Sequence, residues 1–237
     1  MIASIKREAM HRGITRLCHF TPSRNLIHIA SGEQGILATE KLKEAERDVF
    51  TPTDLERLDG HEGYISCSIE YPNAWYFDRA RAKEALFKDW VIIFIDPKYL
   101  WLPGTRFCPR NAASQYGRDI SEGAKAFLAL FAPSVRGAYG KTFSRSPMHL
   151  PCCPTDDQAE VLISDRIDMT DILAIAVATA IQARNELVRL QLVNVPEERF
   201  KFVVAPDLFK KQTLSTLIRS GKRPLETSWV LREEYDS

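Results

Sequence analysis

A carboxylate and an amide stand two residues apart in the segment PTDDQAEVLIS, residues 154–164. The stretch QAEVLIS alternates in the manner of a strand, so Gln158 and Glu160 are predicted to point to one face of a sheet. One interpretation places Glu160 where it can do chemistry on a bound ligand. The other makes Glu160 an ordinary solvated acid at the entrance of a strand, and the pattern alone does not separate the two.

A second polar group lies in HFTPSRN, residues 19–25. His19 and Thr21 share one face of a short predicted strand, and Asn25 falls in the first turn of the helix that follows. Polar side chains and free backbone N–H groups at a strand end and a helix N-terminus suit a nucleotide or amide ligand. A lone histidine is more often structural, and that interpretation stays open for His19.

A third pair, Ser66 and Ser68, lies on one face of the predicted strand YISCSI, residues 64–69. Two small hydroxyl groups at alternate positions can support a carboxylate and leave room for a ligand. Serine also fits a half-buried strand for no chemical reason. The sequence has no Gly-rich phosphate loop, no H-E-x-x-H and no G-x-S-x-G, so Rossmann, P-loop, metalloprotease and serine-hydrolase functions have no support.

Short strands that alternate with helices are predicted to carry these side chains. The predicted strands are 17–20, 35–37, 64–69, 90–96, 158–164, 172–177 and 200–204. The predicted helices are 23–30, 73–88, 121–131, 179–192 and 207–219, followed by a polar tail. The continuously apolar run 90–96 indicates a strand buried on both faces. The helix 73–88 is expected to contribute five core residues, Trp75, Phe77, Ala82, Leu86 and Phe87.

Residues 97–157 contain no convincing strand, and a long irregular stretch inside a compact domain is usually functional. Within it, residues 103–150 carry seven Lys or Arg against two Asp or Glu. Residues 151–171 carry six acids against one Arg. These segments are either two solvated faces of opposite sign, or a basic loop region that meets a polyanion beside an acidic strand.

The bulk composition is that of a soluble globular protein of one domain, with 237 residues and a net charge of +1. The longest apolar run, residues 172–181, is far shorter than the roughly 20 residues of a membrane span. We therefore expect a cytoplasmic protein without membrane contact. The five cysteines include no C-x-x-C, and Cys152, Cys153 and His149 lack the paired spacing of a zinc site, so reduced thiols and no metal are expected.

Taken together, the three polar groups resemble the ADP-ribosyltransferase fold. More narrowly, the chain resembles the DarT family, toxins that ADP-ribosylate bases in single-stranded DNA. The matching stretches run in order between about residues 15 and 180. They are HFTPSRNL (19–26), DLERLDGHEGYISCSIEYPN (54–73), FIDPKYLW (94–101), FCPRNAA (107–113) and PTDDQAEVLI (154–163).

The resemblance implies an α+β fold in which two packed, mostly antiparallel sheets are flanked by helices. NAD, as a substrate, would lie in the cleft between the sheets, and no metal is implied. The whole chain, 1–237, would form one ADP-ribosyltransferase domain. The long loop region 103–157 would recognise the acceptor.

The resemblance also implies roles for individual residues. Glu160 would be the catalytic glutamate, since breaking the nicotinamide–ribose bond builds positive charge that a carboxylate stabilises. Arg57 would be the second catalytic residue, with Arg47 as the runner-up, because the match between 38 and 60 is loose. The NAD-binding residues would be His19, Phe20, Thr21, Asn25, Leu37 and Ser66. The acceptor would contact Gln158, Arg110, Asn111, Arg118, Tyr139 and Arg145, and three aromatic rings, Phe107, Tyr116 and Tyr139, could stack on bases.

The implied function is transfer of ADP-ribose from NAD to a nucleobase in single-stranded DNA. Such an enzyme would be the toxin of a toxin–antitoxin or phage-defence system, neutralised by a macrodomain-type antitoxin. The stretch FIDPKYLWLPGTRFCPRNAA resembles one branch of the family more than its thymidine-modifying branch, so thymine, guanine and adenine in RNA all stay open as targets.

Acceptors other than a DNA base also stay open. The protein could modify RNA bases in general or a protein side chain, or it could transfer ADP-ribose to water as an NAD glycohydrolase. A nucleic-acid-binding module that keeps the fold without turnover is a further reading, although the presence of both Glu160 and His19 argues against it. Residues after about 195 match no known motif.

Overall fold

The computed structural model describes residues 2–32, 34–44, 60–84, 86–137 and 141–231. Within these ranges the strands are β1 (Leu17–Pro22), β2 (Ile36–Leu37), β3 (Tyr64–Ile69), β4 (Trp90–Ile95), β5 (Arg106–Cys108), β6 (Ser121–Glu122), β7 (Ser134–Arg136), β8 (Thr142–Ser144), β9 (Glu160–Ser164), β10 (Arg166–Ile167), β11 (Ile172–Val177), β12 (Phe202–Val204) and β13 (Thr227–Trp229). The helices are α1 (Ile2–His11), α2 (Ser23–Ser31), α3 (Thr39–Glu44), α4 (Ala74–Lys83), α5 (Gly123–Ala129), α6 (Ala180–Gln191) and α7 (Lys211–Arg219).

Nine strands form one hydrogen-bonded sheet in the order β13-β12-β11-β4-β1-β3-β9-β5-β6. Its neighbouring strands are antiparallel except β11 and β12. β1 pairs with β4 along its whole length, from Leu17 to Pro22. It pairs with β3 only at Leu17 and Cys18. The sheet therefore divides between β1 and β3, and its two halves correspond to the two mostly antiparallel sheets predicted from the sequence.

β4 lies at the centre of the core. All six of its residues are buried, which confirms the strand predicted from the continuous apolar run. α2 packs against α6, α4 against α7, and α1 against α5. One hydrophobic cluster extends from Ile5 in α1 to Ile218 in α7, so the core is shared by both halves of the sheet.

The prediction that residues 97–157 hold no strand is wrong. Four short strands, β5 to β8, lie within this stretch. Two or three residues are too few to show an alternating pattern, and these strands depend on tertiary pairing. Phe107 on β5 lies opposite Val161 on β9, so β5 extends the half of the sheet that carries Glu160. The predicted polar tail likewise contains a strand, because β13 pairs with β12 and forms the edge of the sheet.

α4 is shorter than the predicted helix 73–88. The backbone becomes extended at Glu84, where φ is −83° and ψ is 106°. Phe77 is fully buried, as predicted, and Trp75 is half-buried. Three other residues predicted in the core are exposed: Ala82, Leu86 and Phe87. The helical pattern failed here because these residues lie at or beyond the end of the helix.

Candidate functional site

The separation of β1 from β3 leaves the facing edges of the two strands unpaired beyond Cys18. Backbone groups on those edges lack a ladder partner and need other hydrogen bonds. His19, the first residue of β1 beyond the paired positions, supplies one, with its Nδ1 lying 2.9 Å from the carbonyl oxygen of Ser66 on β3. Because a carbonyl oxygen only accepts, this hydrogen bond requires the proton on Nδ1. The imidazole of His19 is thereby held where the two halves of the sheet part.

Ser66 connects His19 to the carboxylate on the far side of the cleft. Its hydroxyl donates to Oε2 of Glu160 at 2.6 Å. The other carboxylate oxygen, Oε1, accepts from the backbone N–H of Ala112 at 3.3 Å. Glu160 is only 8% exposed. The structure therefore brings together the three polar groups recognised in the sequence, on β1, β3 and β9, in one chain of hydrogen bonds.

Ser68, the second serine of the predicted pair, is used differently. It is buried, and its hydroxyl accepts from the backbone N–H of Asn73 at 2.9 Å. Asn73 in turn caps α4, since its Oδ1 accepts from the N–H of Tyr76 at 3.0 Å. Of the two serines, the structure shows Ser66 as the one that supports the carboxylate of Glu160.

Thr21 lies near the end of β1 and Asn25 in the first turn of α2, and both are almost fully buried. The amide Nδ2 of Asn25 donates to the hydroxyl of Thr21 at 2.8 Å. Its Oδ1 is buried and has no hydrogen-bond partner within the described part of the chain. Leaving a buried acceptor unsatisfied costs about 1–3 kcal/mol. A ligand with an N–H donor would remove that cost, which fits the amide or nucleotide ligand expected here.

The remaining predicted NAD-binding residues lie at different distances from this centre. The ring of Phe20 stacks on Phe77 with the ring centroids 4.6 Å apart. Leu37 lies on β2, which pairs with β10 in a separate two-stranded sheet. Gly35, just before β2, has φ +75°, and a Cβ atom there would lie 2.1 Å from the carbonyl oxygen of Ile167. Glycine is thus needed for β2 to approach β10, and the contact of Leu37 with NAD stays a prediction.

Gln158 does not lie on the strand that carries Glu160. β9 begins at Glu160, and Gln158 lies in the preceding turn. The carboxylate of Asp156 accepts from the N–H of Gln158 at 2.9 Å. The backbone carbonyl oxygen of Asp156 accepts from the N–H of Ala159 at 3.0 Å. The prediction that Gln158 and Glu160 share a strand face is therefore wrong, because these two hydrogen bonds favour a turn over an extended start.

This turn is fixed to the helices around it. Asp157 accepts from the hydroxyl of Ser215 at 2.5 Å and from Arg219 at 3.3 Å, both on α7. It also accepts from the indole N–H of Trp75 on α4 at 3.4 Å. Thr155 binds two backbone carbonyls that follow α5. The predicted turn at the two aspartates is confirmed, and it gives Glu160 a rigid support.

Asp156 is an unusual member of that turn, since it is 3% exposed. Burial disfavours its charged form and raises its pKa from an ordinary 3.8 to about 6. The neighbouring Asp157 acts in the same direction. The N–H of Gln158 and the cations Arg219 and Arg110 act in the opposite direction and offset only part of the effect.

We expect Asp156→Asn to flatten the dependence of stability on pH. The folded-state pKa is raised, so the stabilisation from this group is complete below pH 3.8 and is lost as the pH rises through about 6. A shift of that size corresponds to at most about 3 kcal/mol in the free energy of unfolding. Asparagine keeps an oxygen acceptor for the N–H of Gln158 but carries no charge. Urea unfolding from pH 4 to pH 8 measures the effect.

The matched control is Asp165→Asn, at an exposed turn acid. It removes one carboxylate at the surface and should change the free energy of unfolding by less than about 0.5 kcal/mol. If Asp156→Asn kept the wild-type pH dependence, the buried Asp156 carboxyl group could not titrate as described.

Two arginines predicted to contact the acceptor are engaged inside the protein. Arg110 is 4% exposed, forms an ion pair with Asp119, and donates to the carbonyl oxygen of Arg136 at 3.3 Å. Arg145 donates to the carbonyl oxygens of Leu150 and Cys153, each at 2.7 Å. These contacts favour a structural role for both side chains over the predicted contact with DNA.

The other predicted acceptor residues have different surroundings. Asn111 is half-buried and its Oδ1 accepts from the N–H of Ala113 at 3.0 Å. Arg118 is exposed and has no side-chain partner within the described ranges. Three predicted site residues lie outside the described residues: Arg47, Arg57 and Tyr139. Of the aromatic residues proposed for stacking, Phe107 is 1% exposed in the core, whereas Tyr116 is 79% exposed.

Three groups that support the site were not predicted to do so from the sequence. The N–H of Ala112 that binds Glu160 is a backbone group, so no residue type marks it. Asp119 pairs with Arg110 at a spacing that follows no helical or strand rule. Asp156 was assigned to the turn, but its burial depends on α7 packing over it. For Arg110 and Ala112 the signal was the match FCPRNAA, which includes both residues, and Asp156 lies in the match PTDDQAEVLI.

In the part of the chain that the structure describes, no three His, Cys, Asp or Glu side chains lie close enough to share a metal ion. His149 is buried with Nε2 3.0 Å from the carbonyl oxygen of Pro154, and burial lowers its pKa to about 4. Cys152 and Cys153 are buried thiols. None of the described helices combines the length and the apolar character that crossing a bilayer requires.

Known structures share this fold. The chain is similar to Thermosipho africanus DarTG in complex with ADP-ribose, with 15% identity over 82% of this chain and a TM-score of 0.53. The match covers 51% of that chain, so the present chain spans about half its length. The chain is also similar to Thermus sp. 2.9 DarT in complex with ADP-ribosylated ssDNA, with 14% identity over 83% of this chain and 97% of that chain and a TM-score of 0.51. These likenesses confirm the predicted mixed α and β fold.

A search of curated proteins found no match to the sequence. The family model described as "ssDNA thymidine ADP-ribosyltransferase, DarT" matches residues 18–210. That range includes most of the divided sheet, with the exception of β13, and contains His19, Ser66 and Glu160. The match covers well over half of the chain, and the protein therefore belongs to the DarT family of single-stranded-DNA thymidine ADP-ribosyltransferases.

Proposed function

We propose that this protein transfers ADP-ribose from NAD to thymidine in single-stranded DNA and releases nicotinamide. The observation that best supports the proposal is the position of Glu160, joined through Ser66 to His19 where the sheet divides. The family description supports thymidine over guanine and adenine. The similar structures bound to ADP-ribose and to ADP-ribosylated ssDNA agree with this donor and acceptor.

NAD would bind along the divided edge of β1. His19, Thr21 and Asn25 would hold its nicotinamide–ribose end, and the buried Oδ1 of Asn25 is suited to accept a hydrogen bond from the carboxamide. Phe20, Leu37 and Ser66 complete the proposed set. Their support differs, because the hydroxyl of Ser66 directly contacts Glu160, whereas Leu37 lies on a separate small sheet.

Glu160 would stabilise the charge that develops during the reaction. The bond between the ribose C1′ and the nicotinamide nitrogen breaks, its electron pair leaves with nicotinamide, and positive charge builds on the ribose. A ring nitrogen of the base then attacks C1′ and loses its proton. A fixed carboxylate with two hydrogen-bond donors supplies preorganised negative charge beside that centre. Arg57, with Arg47 as the runner-up, would be the second catalytic residue that the family resemblance implies. It would either orient the NAD phosphates or polarise the acceptor base.

The acceptor would reach Glu160 past the turn that holds Gln158. Because that turn is anchored by Asp157 to α7, Gln158 can contact the base from a fixed position without sharing a strand with Glu160. A base must leave its stack to enter such a site, which favours single strands over duplexes. We also propose that residues 1–237 form a single ADP-ribosyltransferase domain with its acceptor loops at about 103–157, in agreement with the continuous hydrophobic cluster.

Labelled NAD separates this function from the competing ones. Wild-type protein is incubated with labelled NAD and with single-stranded DNA, duplex DNA, RNA or a protein extract. Label on thymidine-containing single strands, absent from matched strands without thymidine, supports the proposal. Free ADP-ribose alone would instead make the protein an NAD glycohydrolase, and label on RNA or protein would change the acceptor. No consumption of NAD would leave only a binding module.

Binding of single-stranded DNA is expected to weaken as salt increases. Exposed cations of the region 103–150 would release counterions from phosphates, with a slope of log affinity against log salt of about −0.7 for each phosphate contacted. Titrations of a labelled oligonucleotide from 50 to 300 mM NaCl, on the order of the physiological range, test this. The affinity for an uncharged adenosine fragment serves as the control. An affinity for DNA that does not change with salt would exclude these loops as the contact.

A macrodomain-type antitoxin is the proposed partner, since modification of cellular DNA would harm the cell that makes the enzyme. The similarity to DarTG, whose chain is about twice as long as the matched region, supports a coupled second protein. DNA and NAD as substrates also favour action in the cytoplasm. Co-expression with a macrodomain that hydrolyses ADP-ribosylated bases should restore growth, and continued toxicity despite that hydrolase would count against such a partner.

A further inference from the structure

We infer that Tyr116 forms a base-stacking subsite for a nucleotide beside the modified thymidine. The inference rests on the proposed function and adds to it the contact that would grip the single strand next to the active site. Four features support it: the exposure of the ring, the fixed backbone beneath it, its connection to Glu160, and the exposed cations on segments connected to its turn.

The side chain of Tyr116 is unusually available. At 79% exposure it is the most exposed large aromatic side chain in the part of the chain that the structure describes. Aromatic residues normally bury their rings against other apolar groups. Phe107, nearby in sequence, is 1% exposed and serves the core. Tyr116 therefore has no described packing partner that would account for an aromatic residue at this position.

The backbone holds this ring in a fixed direction. Tyr116 has φ 57° and Gly117 has φ 79°, so two successive residues adopt the left-handed conformation. That conformation is uncommon for an aromatic residue and persists only where surrounding contacts determine it. Here the N–H of Tyr116 donates to Ala113 at 3.3 Å, and the N–H of Gly117 donates to Ala112 at 3.1 Å. The exposed ring thus stands on a defined turn.

The same turn reaches the carboxylate of the active site. Ala112, whose carbonyl oxygen accepts from Gly117, uses its own N–H to bind Oε1 of Glu160. One backbone hydrogen bond, from Gly117 to Ala112, and one from the N–H of Ala112 to the Glu160 carboxylate therefore connect the turn of Tyr116 to Glu160. Glu160 is 8% exposed, so the base that reaches it must enter the cleft, whereas Tyr116 lies outside. This geometry assigns Tyr116 to a neighbouring base and not to the target.

Exposed cations lie on segments connected to the turn, since Arg118 follows it directly in sequence and Arg110 binds the carbonyl oxygen of Arg136. The ion pair of the buried Arg110 with the partly exposed Asp119 joins the residues before and after the turn. Arg118, Arg136 and Lys141 are exposed and have no side-chain partner within the described ranges. A single aromatic ring with unpaired cations on connected segments suits a nucleic acid strand, whose bases stack and whose phosphates are anionic. A protein partner would need a wider apolar surface.

The first experiment measures transfer to a single-stranded oligonucleotide that contains one thymidine. Tyr116→Ala is expected to raise KM for the oligonucleotide by about five- to a hundredfold, the range given by the loss of one stacked base. Tyr116→Phe should restore the wild-type KM, because it keeps the ring. Leu192→Ala is the control, since Leu192 is equally exposed, at 78%, at the end of α6. It should behave as the wild type.

The second experiment keeps the Tyr116 ring and removes a base of the oligonucleotide next to the thymidine. Abasic sites are placed singly on either side of the thymidine. With wild-type protein, one of the two should raise KM as much as Tyr116→Ala does, and combining that abasic site with Tyr116→Ala should raise it no further. Additive losses, or an unchanged KM for Tyr116→Ala, would overturn the subsite while transfer by the wild type still upholds the proposed function. Absence of transfer by the wild type would overturn both.

Discussion

Glu160→Gln is expected to fold and bind NAD as the wild type does, yet to lose transfer by about two or more orders of magnitude. Glutamine has the shape of glutamate, and the Ser66 hydroxyl can accept from its amide as readily as it donates to the carboxylate. What the variant loses is the negative charge beside the developing cation. Single-turnover transfer of label to an oligonucleotide measures the loss, and calorimetry with NAD and a thermal melt check binding and folding.

Glu122→Gln provides the matched control. Glu122 is an exposed carboxylate on β6, in the same half of the sheet, and its Oε1 pairs with Arg106 at the surface. Its substitution should leave transfer at the wild-type rate, since surface ion pairs contribute little. Near-normal transfer by Glu160→Gln would remove Glu160 from the mechanism, however well its geometry fits.

Arg110→Gln is expected to lower the free energy of unfolding by about 2–4 kcal/mol. The substitution leaves Asp119 without its cation and the carbonyl oxygen of Arg136 without this donor. This expected loss of stability is smaller than the loss that usually follows when one partner of a fully buried ion pair is removed, because the Asp119 side chain is 36% exposed. Chemical denaturation measures the change, and the same variant should transfer ADP-ribose more slowly, since Ala112 loses the support that holds it on Glu160.

Arg118→Gln is the companion variant, because the sequence assigned both arginines to the acceptor. Arg118 is exposed, so its loss should change the free energy of unfolding by less than about 0.5 kcal/mol. It should instead reduce the salt slope of DNA binding by about 0.7. The two variants are thus expected to have opposite phenotypes. A stable Arg110→Gln protein with a reduced salt slope would mean that Arg110 contacts phosphate, as the sequence alone suggested.

Much of the fold and the centre of the site could be predicted because local patterns agree with the tertiary structure. The continuous apolar run of β4 indicated burial on both faces, and all six residues are buried. His19, Ser66 and Glu160 lie on three strands that the sequence pattern predicted, although β9 begins two residues later than expected. Strands determine which face a side chain takes, so the residues of these strands could be expected to meet at one cleft.

The parts that could not be predicted depend on particular hydrogen bonds and strand pairings that the local residue pattern does not show. The backbone N–H of Gln158 donates a hydrogen bond to the Asp156 carboxylate, and β9 begins at Glu160, two residues later than predicted. Gln158 therefore does not share a strand face with Glu160. Arg110 belongs to a basic loop region and was therefore predicted to contact DNA. Its side chain is instead buried and forms an ion pair with Asp119. The short strands β5 to β8 exist only because neighbours pair with them, and no pattern of two or three residues shows this.

The most direct test uses the wild-type protein, NAD and a single-stranded oligonucleotide with one thymidine, followed by mass spectrometry of the oligonucleotide and measurement of free nicotinamide. The expected result is one ADP-ribose on the thymidine base, nicotinamide released in equal amount, and neither product with Glu160→Gln. Nicotinamide release without modification of the oligonucleotide, or no reaction with NAD at all, would contradict the proposed function.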